Sequence, residues 1–401
     1  NIKGIYLEAG SLSTGFAGIE AIRRELEDFK DSGKFIVSYG DYYTQGAYYL
    51  CSVADSVFLN PQGSVSLVGL ASQGLFFTGL AEKIGVEHYI FKVGTYKSAV
   101  EPFFLKKFSD ANREQLTSFL GSVWGNLTTA IEKSRNISSD ELDRYLNEGL
   151  AMGQASNAVD YKLADGLRYR YEVENCVKEM AGQDVKGKLK TAGVDKIVSI
   201  KVKEKENKNK IAVLYAEGEI RDEDSSSPFS ADEQVISEEM ANKLRKLKDD
   251  DDVKAVVFRV NSPGGSAYIS EQIWKEVVEL KAKKPIVVSM GNYAASGGYY
   301  ISCAANKIVA ERTTLTGSIG VFGVVRNFTG TFDKVGVTTD IVKTNTFADL
   351  GDISRPMRED EKALIQRGVE QTYDLFLTRC ADGRGMTKAE IDSIGQGRVW
   401  T

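Results

Sequence analysis

The sequence predicts an α/β protein made of two tandem copies of one unit, each built on a largely parallel sheet. Three observations carry this. Ala294-Ala295-Ser296-Gly297-Gly298-Tyr299-Tyr300 follows an apolar run just as Tyr43-Thr44-Gln45-Gly46-Ala47-Tyr48-Tyr49 does, at an offset of 251 residues that holds without a gap from Ile2 against Val253 to Val86 against Val337. Strand-like β-branched runs alternate with helical spacing, the pattern of parallel strands joined by crossover helices. Strands such as Ile286-Val287-Val288 are apolar without interruption, which suits a sheet covered on both faces.

Each copy reads as strand, glycine turn, helix, strand, glycine turn, helix, strand. In the second copy, Ala255 to Val260 is a strand ending at Asn261-Ser262-Pro263-Gly264-Gly265. Ile273, Val277 and Leu280 then fall on one face of a helix over Ile269 to Leu280. Pro285 opens a strand through Met290. Gly291 to Gly298 is expected as a turn, Tyr299 to Ala305 as a short apolar helix and Ile308 to Ala310 as a short strand. The longer helices Asp110 to Ser134 and Arg358 to Arg379 come late in each copy. A strand, Lys210 to Tyr215, and a helix, Asp232 to Leu247, precede the second copy. The first copy enters directly at a strand, Gly4 to Leu7, so any signal or membrane anchor is expected in an N-terminal segment outside this chain. The expected domains are 1–190 and 210–401, with the boundary between Ala181 and Lys210. Within it, Lys201 to Lys210 mixes Lys with Glu and Asn and reads as a solvated hairpin or linker.

Composition sets bounds on function. A chain of 401 residues suits two domains, and a hydrophobic share of 42% can fill their cores. A net charge of −5 with both signs interspersed argues against nucleic-acid binding. No run of 18 apolar residues is present, so no segment here reads as a membrane-spanning helix. Cys51, Cys176, Cys303 and Cys380 lack metal-binding spacing and are expected as free thiols.

The residues that carry chemistry divide between the copies. Ser296 sits at a strand-to-helix turn with glycines after it. It reads either as a helix cap or as an exposed nucleophile. In the second case the N–H of Gly297 supplies one oxyanion donor, and Gly264 or Gly265 supplies another. The one histidine, His88, lies opposite Thr339 and has no carboxylate or serine context, so lysine is the natural base. Lys97 lies in the mostly uncharged, aromatic run Phe91 to Phe103. A free lysine has a pKa of about 10.4 and must be desolvated to serve as a base near neutral pH. The losses are complementary: Gln45 stands opposite Ser296, Leu12-Ser13-Thr14 replaces Pro263-Gly264-Gly265, and Ala348 stands opposite Lys97. This division reads as a Ser/Lys hydrolase whose site needs sequence from both copies. No metal or cofactor is required.

Four motifs, in order, sharpen this reading. They are Gly94-Thr95-Tyr96-Lys97-Ser98-Ala99-Val100-Glu101-Pro102-Phe103, Asn261-Ser262-Pro263-Gly264-Gly265, Ala295-Ser296-Gly297-Gly298-Tyr299 and Leu315-Thr316-Gly317-Ser318-Ile319-Gly320. Together they closely resemble the signal peptide peptidase A, or protease IV, family in its long, duplicated form, over essentially the whole chain. The resemblance implies two tandem repeats of the Clp-protease/crotonase type. It makes Ser296 the nucleophile, Lys97 the general base and Ser318 a residue that holds the lysine. It implies cleaved signal peptides and other apolar peptides as substrates, at the bacterial inner membrane, with the catalytic part on the periplasmic or extracytoplasmic face. Two tandem copies stacked head to tail also suggest a closed homo-oligomer, a tetramer by preference. Phe76-Phe77, Phe103-Phe104-Leu105 and Tyr42-Tyr43 fit either an apolar groove or ordinary core and subunit contacts. Two other readings stay open: a crotonase-like thioester-processing enzyme that uses the oxyanion hole without a serine nucleophile, and a non-catalytic assembly protein.

Overall fold

The computed structural model describes residues 2–8, 10, 12–200, 208–222 and 234–401. Most of the Lys201–Lys210 stretch therefore lies outside the described residues, as do Asp232 and Glu233 at the head of one expected helix. The strands in chain order are β1 (Gly4–Glu8), β2 (Phe35–Tyr43), β3 (Ser56–Val65), β4 (Glu87–Val93), β5 (Gly166–Leu167), β6 (Lys210–Glu217), β7 (Glu219–Ile220), β8 (Val235–Ile236), β9 (Val253–Ser262), β10 (Ile286–Ala295), β11 (Lys307–Val309), β12 (Leu315–Gly317), β13 (Val321–Asn327) and β14 (Val399–Trp400).

Packing divides the chain into two compact units, neither of them continuous. One comprises Asn1–Ala71, Gly121–Lys208 and Glu311–Thr313; the other comprises Ser72–Leu120, Asn209–Ala310 and Thr314–Thr401. The expected split at 1–190 and 210–401 follows the sequence repeat. Packing instead groups 72–120, and Lys97 with it, with the later half of the chain.

In the first unit the sheet order is β1-β2-β3-β5, and every pairing is parallel. Ile36, Val37, Ser38 and Tyr39 of β2 are all buried, so this strand is covered on both faces. Val173 and Val177 of the helix Arg170–Met180 pack with Val37 and Tyr39 on one side. Ile36 joins the main core on the other. The buried tyrosines place their hydroxyls on backbone carbonyls: Tyr43 on Phe58 at 3.0 Å, Tyr48 on Leu163 at 2.7 Å and Tyr145 on Val65 at 3.0 Å. A buried hydroxyl without such an acceptor costs about 1–3 kcal/mol. Tyr43 is thus core and lines no groove, whereas Tyr42 is exposed.

In the second unit the order is β14-β12-β10-β9-β6, with β11 also on β10. The pairings are parallel except that of β14. Val256, Phe258 and Val260 of β9 and Ile286, Val288 and Met290 of β10 face the core. Their neighbours Val257 and Val287 are only half-buried, so here full coverage holds for one face. The helix Ala267–Lys283 covers that core with Ile269, Ile273, Val277 and Leu280, the stripe its spacing predicts. Each such side chain contributes roughly 1.5–3 kcal/mol on burial. The Ser266 hydroxyl caps this helix by accepting from the N–H of Ile269 at 3.3 Å. A separate antiparallel ribbon pairs β4 with β13, from Val93 opposite Val321 to Glu87 opposite Asn327.

Three elements differ from expectation. The strand over Pro285 to Met290 does not stop at Gly291: β10 continues to Ala295 through an irregularity in register with β9 between Met290 and Ala294. Such a bulge keeps a strand in the sheet while re-aiming its end. The following helix begins at Gly297 rather than Tyr299 and spans only Gly297–Tyr300. The helix expected from Asp232 begins at Glu239, and Val235–Ile236 pairs with β7 as β8.

Candidate active site

The end of β10 turns into the short helix through Ser296, at φ 53° and ψ −121°. This is a sparsely populated conformation for a residue with a side chain. It is held from both sides: the Ser296 N–H donates to the Gly317 carbonyl at 2.8 Å, and its carbonyl accepts from the Tyr300 N–H at 2.9 Å. The hydroxyl makes no capping bond to the helix. It lies instead 3.1 Å from Lys97 Nζ.

Lys97 comes from the loop after β4. Gly94 turns this loop at φ 105°, and the Tyr96 N–H donates to the Gln396 carbonyl at 2.8 Å. Gly397 presses on it so closely that a Cβ there would lie 2.6 Å from the Lys97 nitrogen. The side chain is 4% exposed and forms no ion pair among the described residues. Its Nζ is 3.0 Å from Ser318 Oγ and 3.1 Å from the Ser318 carbonyl. Burial without a counter-charge lowers its pKa from 10.5 to about 8. Ser318, like Ser296, has a positive φ, of 49°, and its N–H donates to the Arg398 carbonyl at 2.7 Å.

The three acceptors match the protonation states of the amine. As an ammonium, Lys97 donates to Ser296 Oγ, Ser318 Oγ and the Ser318 carbonyl. As a neutral amine it keeps two N–H groups for Ser318 and turns its lone pair to the Ser296 hydroxyl. The two oxygens of Ser318 thus hold the Lys97 amine beside the Ser296 hydroxyl.

Beside Ser296 lies the turn after β9. Gly264 and Gly265 have φ of 103° and 145°, and Cβ atoms there would lie 2.6 Å from the Gly297 nitrogen and 2.1 Å from the Ile220 carbonyl oxygen, respectively. Only glycine permits this approach. The Gly264 N–H donates to Ser262 Oγ at 3.2 Å. The N–H groups of Gly265 and Gly297 have no acceptor among the described residues. Of the two candidates the sequence left open, Gly265 thus has the free donor, and Gly264 provides clearance. Two free backbone donors beside a hydroxyl that contacts a buried amine form a layout able to stabilise an oxyanion.

All these residues belong to the second unit. His88 lies outside the cluster, in β4 opposite Arg326 with its ring 5.1 Å from that of Phe103. Burial and Arg326 lower its pKa. All four cysteines are free thiols; Cys51, Cys303 and Cys380 are buried. Sequence reasoning missed Ser262, Gln115 and Gly397. Gln115 bonds the residues on either side of Lys97 from the following helix, Gly397 packs on Lys97 from near the end of the chain, and no local pattern marks either.

The profile of Peptidase family S49 matches residues 28–184 and 278–401, and that of Clp protease matches 227–319. Protease 4 of Haemophilus influenzae is 37% identical over 410 residues, covering 100% of this chain and 66% of that protein. Protease 4 of Salmonella typhi is 38% identical over 409 residues, covering 100% and 65%. Serine protease SPPA, chloroplastic, of Arabidopsis thaliana is 33% identical over 406 residues, covering 100% and 59%. The chain thus spans a little under two thirds of the length of these relatives. With both the serine and the lysine segments inside the matched residues, the chain belongs to Peptidase family S49.

Proposed function

We propose that this chain is a serine peptidase with a Ser296–Lys97 dyad. The observation that carries the reading is the buried Lys97 amine, 3.1 Å from Ser296 Oγ and held by two oxygens of Ser318. Neutral Lys97 takes the hydroxyl proton as Ser296 Oγ bonds to the peptide carbonyl carbon, and the carbonyl electron pair moves onto oxygen between the Gly265 and Gly297 N–H groups. When the tetrahedral intermediate collapses, the C–N bond breaks and Lys97 returns the proton to the leaving amine. Water then gives a proton to Lys97 as it attacks the Ser296 ester, and that proton returns to Ser296 Oγ as the acid leaves.

The substrates we propose are cleaved signal peptides and other apolar peptides, processed at the extracytoplasmic face of the bacterial inner membrane by a homotetramer. The family resemblance supports substrate and location, and the tandem copies support closed assembly. Among the described residues no helix is long and apolar enough to cross a membrane. A fluorophosphonate probe tests the chemistry: labelling of Ser296, with peptide turnover lost in parallel, is expected. Thioester turnover that survives Ser296→Ala would favour the crotonase-like reading, and no turnover of either kind would favour the assembly protein. Sedimentation of a fully active monomer would defeat the tetramer.

A further inference from the structure

We infer that Gln115 is a positioning residue for Lys97, an inference that rests on the dyad proposed above. Gln115 lies on the helix Asp110–Arg135 and is 2% exposed. Its Nε2 donates to the Tyr96 carbonyl at 2.9 Å and to Ser98 Oγ at 3.0 Å, the residues flanking Lys97 on either side. Its Oε1 accepts from the Val399 N–H at 3.1 Å. Val399 pairs with Gly317 in the β12–β14 ladder, and the Arg398 carbonyl beside it receives the Ser318 N–H. One amide therefore ties the loop that delivers the base to the strand that places the base's holder.

The amide is itself held. Its Nε2 lies 3.1 Å from Asn112 Oδ1, and Asn112 Nδ2 donates to Glu101 Oε2 at 2.9 Å. Glu101 is 1% exposed and also accepts from the N–H and hydroxyl of Ser109. Glu101 follows Lys97 in the same loop, so the network closes on the segment it positions. The Val399 contact assigns the amide's orientation, since only the oxygen can accept from that N–H. The arrangement matters because base and nucleophile already stand at contact. A displacement of about 1 Å at such a centre costs roughly a hundredfold in rate.

The test compares Gln115→Met, which keeps the bulk and removes the amide, with Gln115→Glu, which keeps the acceptor for Val399 and loses the donors to the lysine loop. Both are measured beside Lys97→Met on the whole chain. In folded variants at position 115, kcat should fall about a hundredfold while KM stays within about twofold. Phosphonylation of Ser296 should slow by a similar factor, and the rising limb of the pH–rate profile should move away from the wild-type position. A folded variant with wild-type kcat and pH limb would overturn the inference. Failure of both variants to fold would overturn it too, because Gln115 would then be a residue of the fold rather than of the site. If Lys97→Met keeps turnover, the dyad itself fails. If Lys97→Met is inactive and Gln115→Met is normal, only the role of Gln115 fails.

Discussion

The turn at Gln45 and the turn at Ser296 occupy the same place in the repeat, after strands of nine and ten residues, and they differ in backbone as well as side chain. In the first copy Thr44 is a regular N-cap, at φ −66° and ψ 160°, and its hydroxyl accepts from the Ala47 N–H at 3.3 Å. Gln45 is the first helical residue, and its Oε1 accepts from the N–H groups of Val68 at 3.2 Å and Gly69 at 3.0 Å. In the second copy the cap is strained and its hydroxyl is left for Lys97. The remaining partners differ in the same direction: Ser13 and Thr14 stand for Gly264 and Gly265, and the fully buried Leu67 stands for Ser318. One turn satisfies its polar groups internally. The other sets its hydroxyl against Lys97 and leaves the N–H groups of Gly265 and Gly297 without an acceptor among the described residues, an arrangement that suits a site better than a scaffold.

The largest effect should come from breaking the dyad. Ser296→Ala and Lys97→Ala should each reduce peptide hydrolysis by at least about a thousandfold with the fold intact, and the double variant should be no slower than either single one. Multiplying losses in steady-state kinetics would mean that the residues do not act as one unit. Next comes the glycine turn. Gly264→Ala puts a methyl against the Gly297 nitrogen and the Ser296 Cβ, so kcat should fall about 10²- to 10³-fold even in protein that melts cooperatively. Unchanged kcat would remove this turn from the oxyanion hole.

Acidity separates the two turns further, because only one is served by a lysine. With a pKa of about 8, Lys97 is mostly protonated at pH 7, so kcat/KM should rise about tenfold per pH unit below 8 and level off above it. The sign for stability follows from the same lowering. Below pH 8 the folded state carries a buried charge and the cost is complete; it fades between pH 8 and 10.5 and is gone above 10.5. Lys97→Met should therefore gain about 1–2 kcal/mol near pH 7, the hydrogen bonds lost to the serines offsetting part of the relief, and nothing above pH 10.5. Denaturant melts at pH 7 and 11 would show it; an equal effect at both would mean that Lys97 titrates normally. The smallest effect belongs to the first copy. Gln45→Ser should cost about 1–2 kcal/mol through its lost bonds to the 68–69 backbone and should confer no activity on that turn. Turnover by Gln45→Ser combined with Ser296→Ala would erase the distinction between the copies.

Much of this was legible in the chain. The helix over Ala267–Lys283 follows from its spacing, and the two largely parallel sheets follow from strands alternating with helices. Glycine bound to a required turn is a local signal, so Gly264, Gly265 and Gly297 were readable too. The continuation of β10 past Gly291 was not, because a bulge depends on the neighbouring strand's register. Gln115 was not either: a glutamine early in a helix looks solvated until its partners at 96, 98 and 399 are known.

The sequence by itself determined the repeat, the loss of serine from one copy and of lysine from the other, and hence that neither copy has a complete set of groups. These are matters of residue identity at a fixed offset, and identity survives without coordinates. Only the tertiary structure decided that residues 72–120 pack with the later half of the chain, which brings Lys97 to Ser296 across 199 positions of sequence. It also decided that the lysine is buried without a counter-charge and that the Gly265 N–H, not that of Gly264, is free. Burial, hydrogen-bond satisfaction and long-range pairing are set by the whole packed ensemble of side chains, and no local window of sequence contains them.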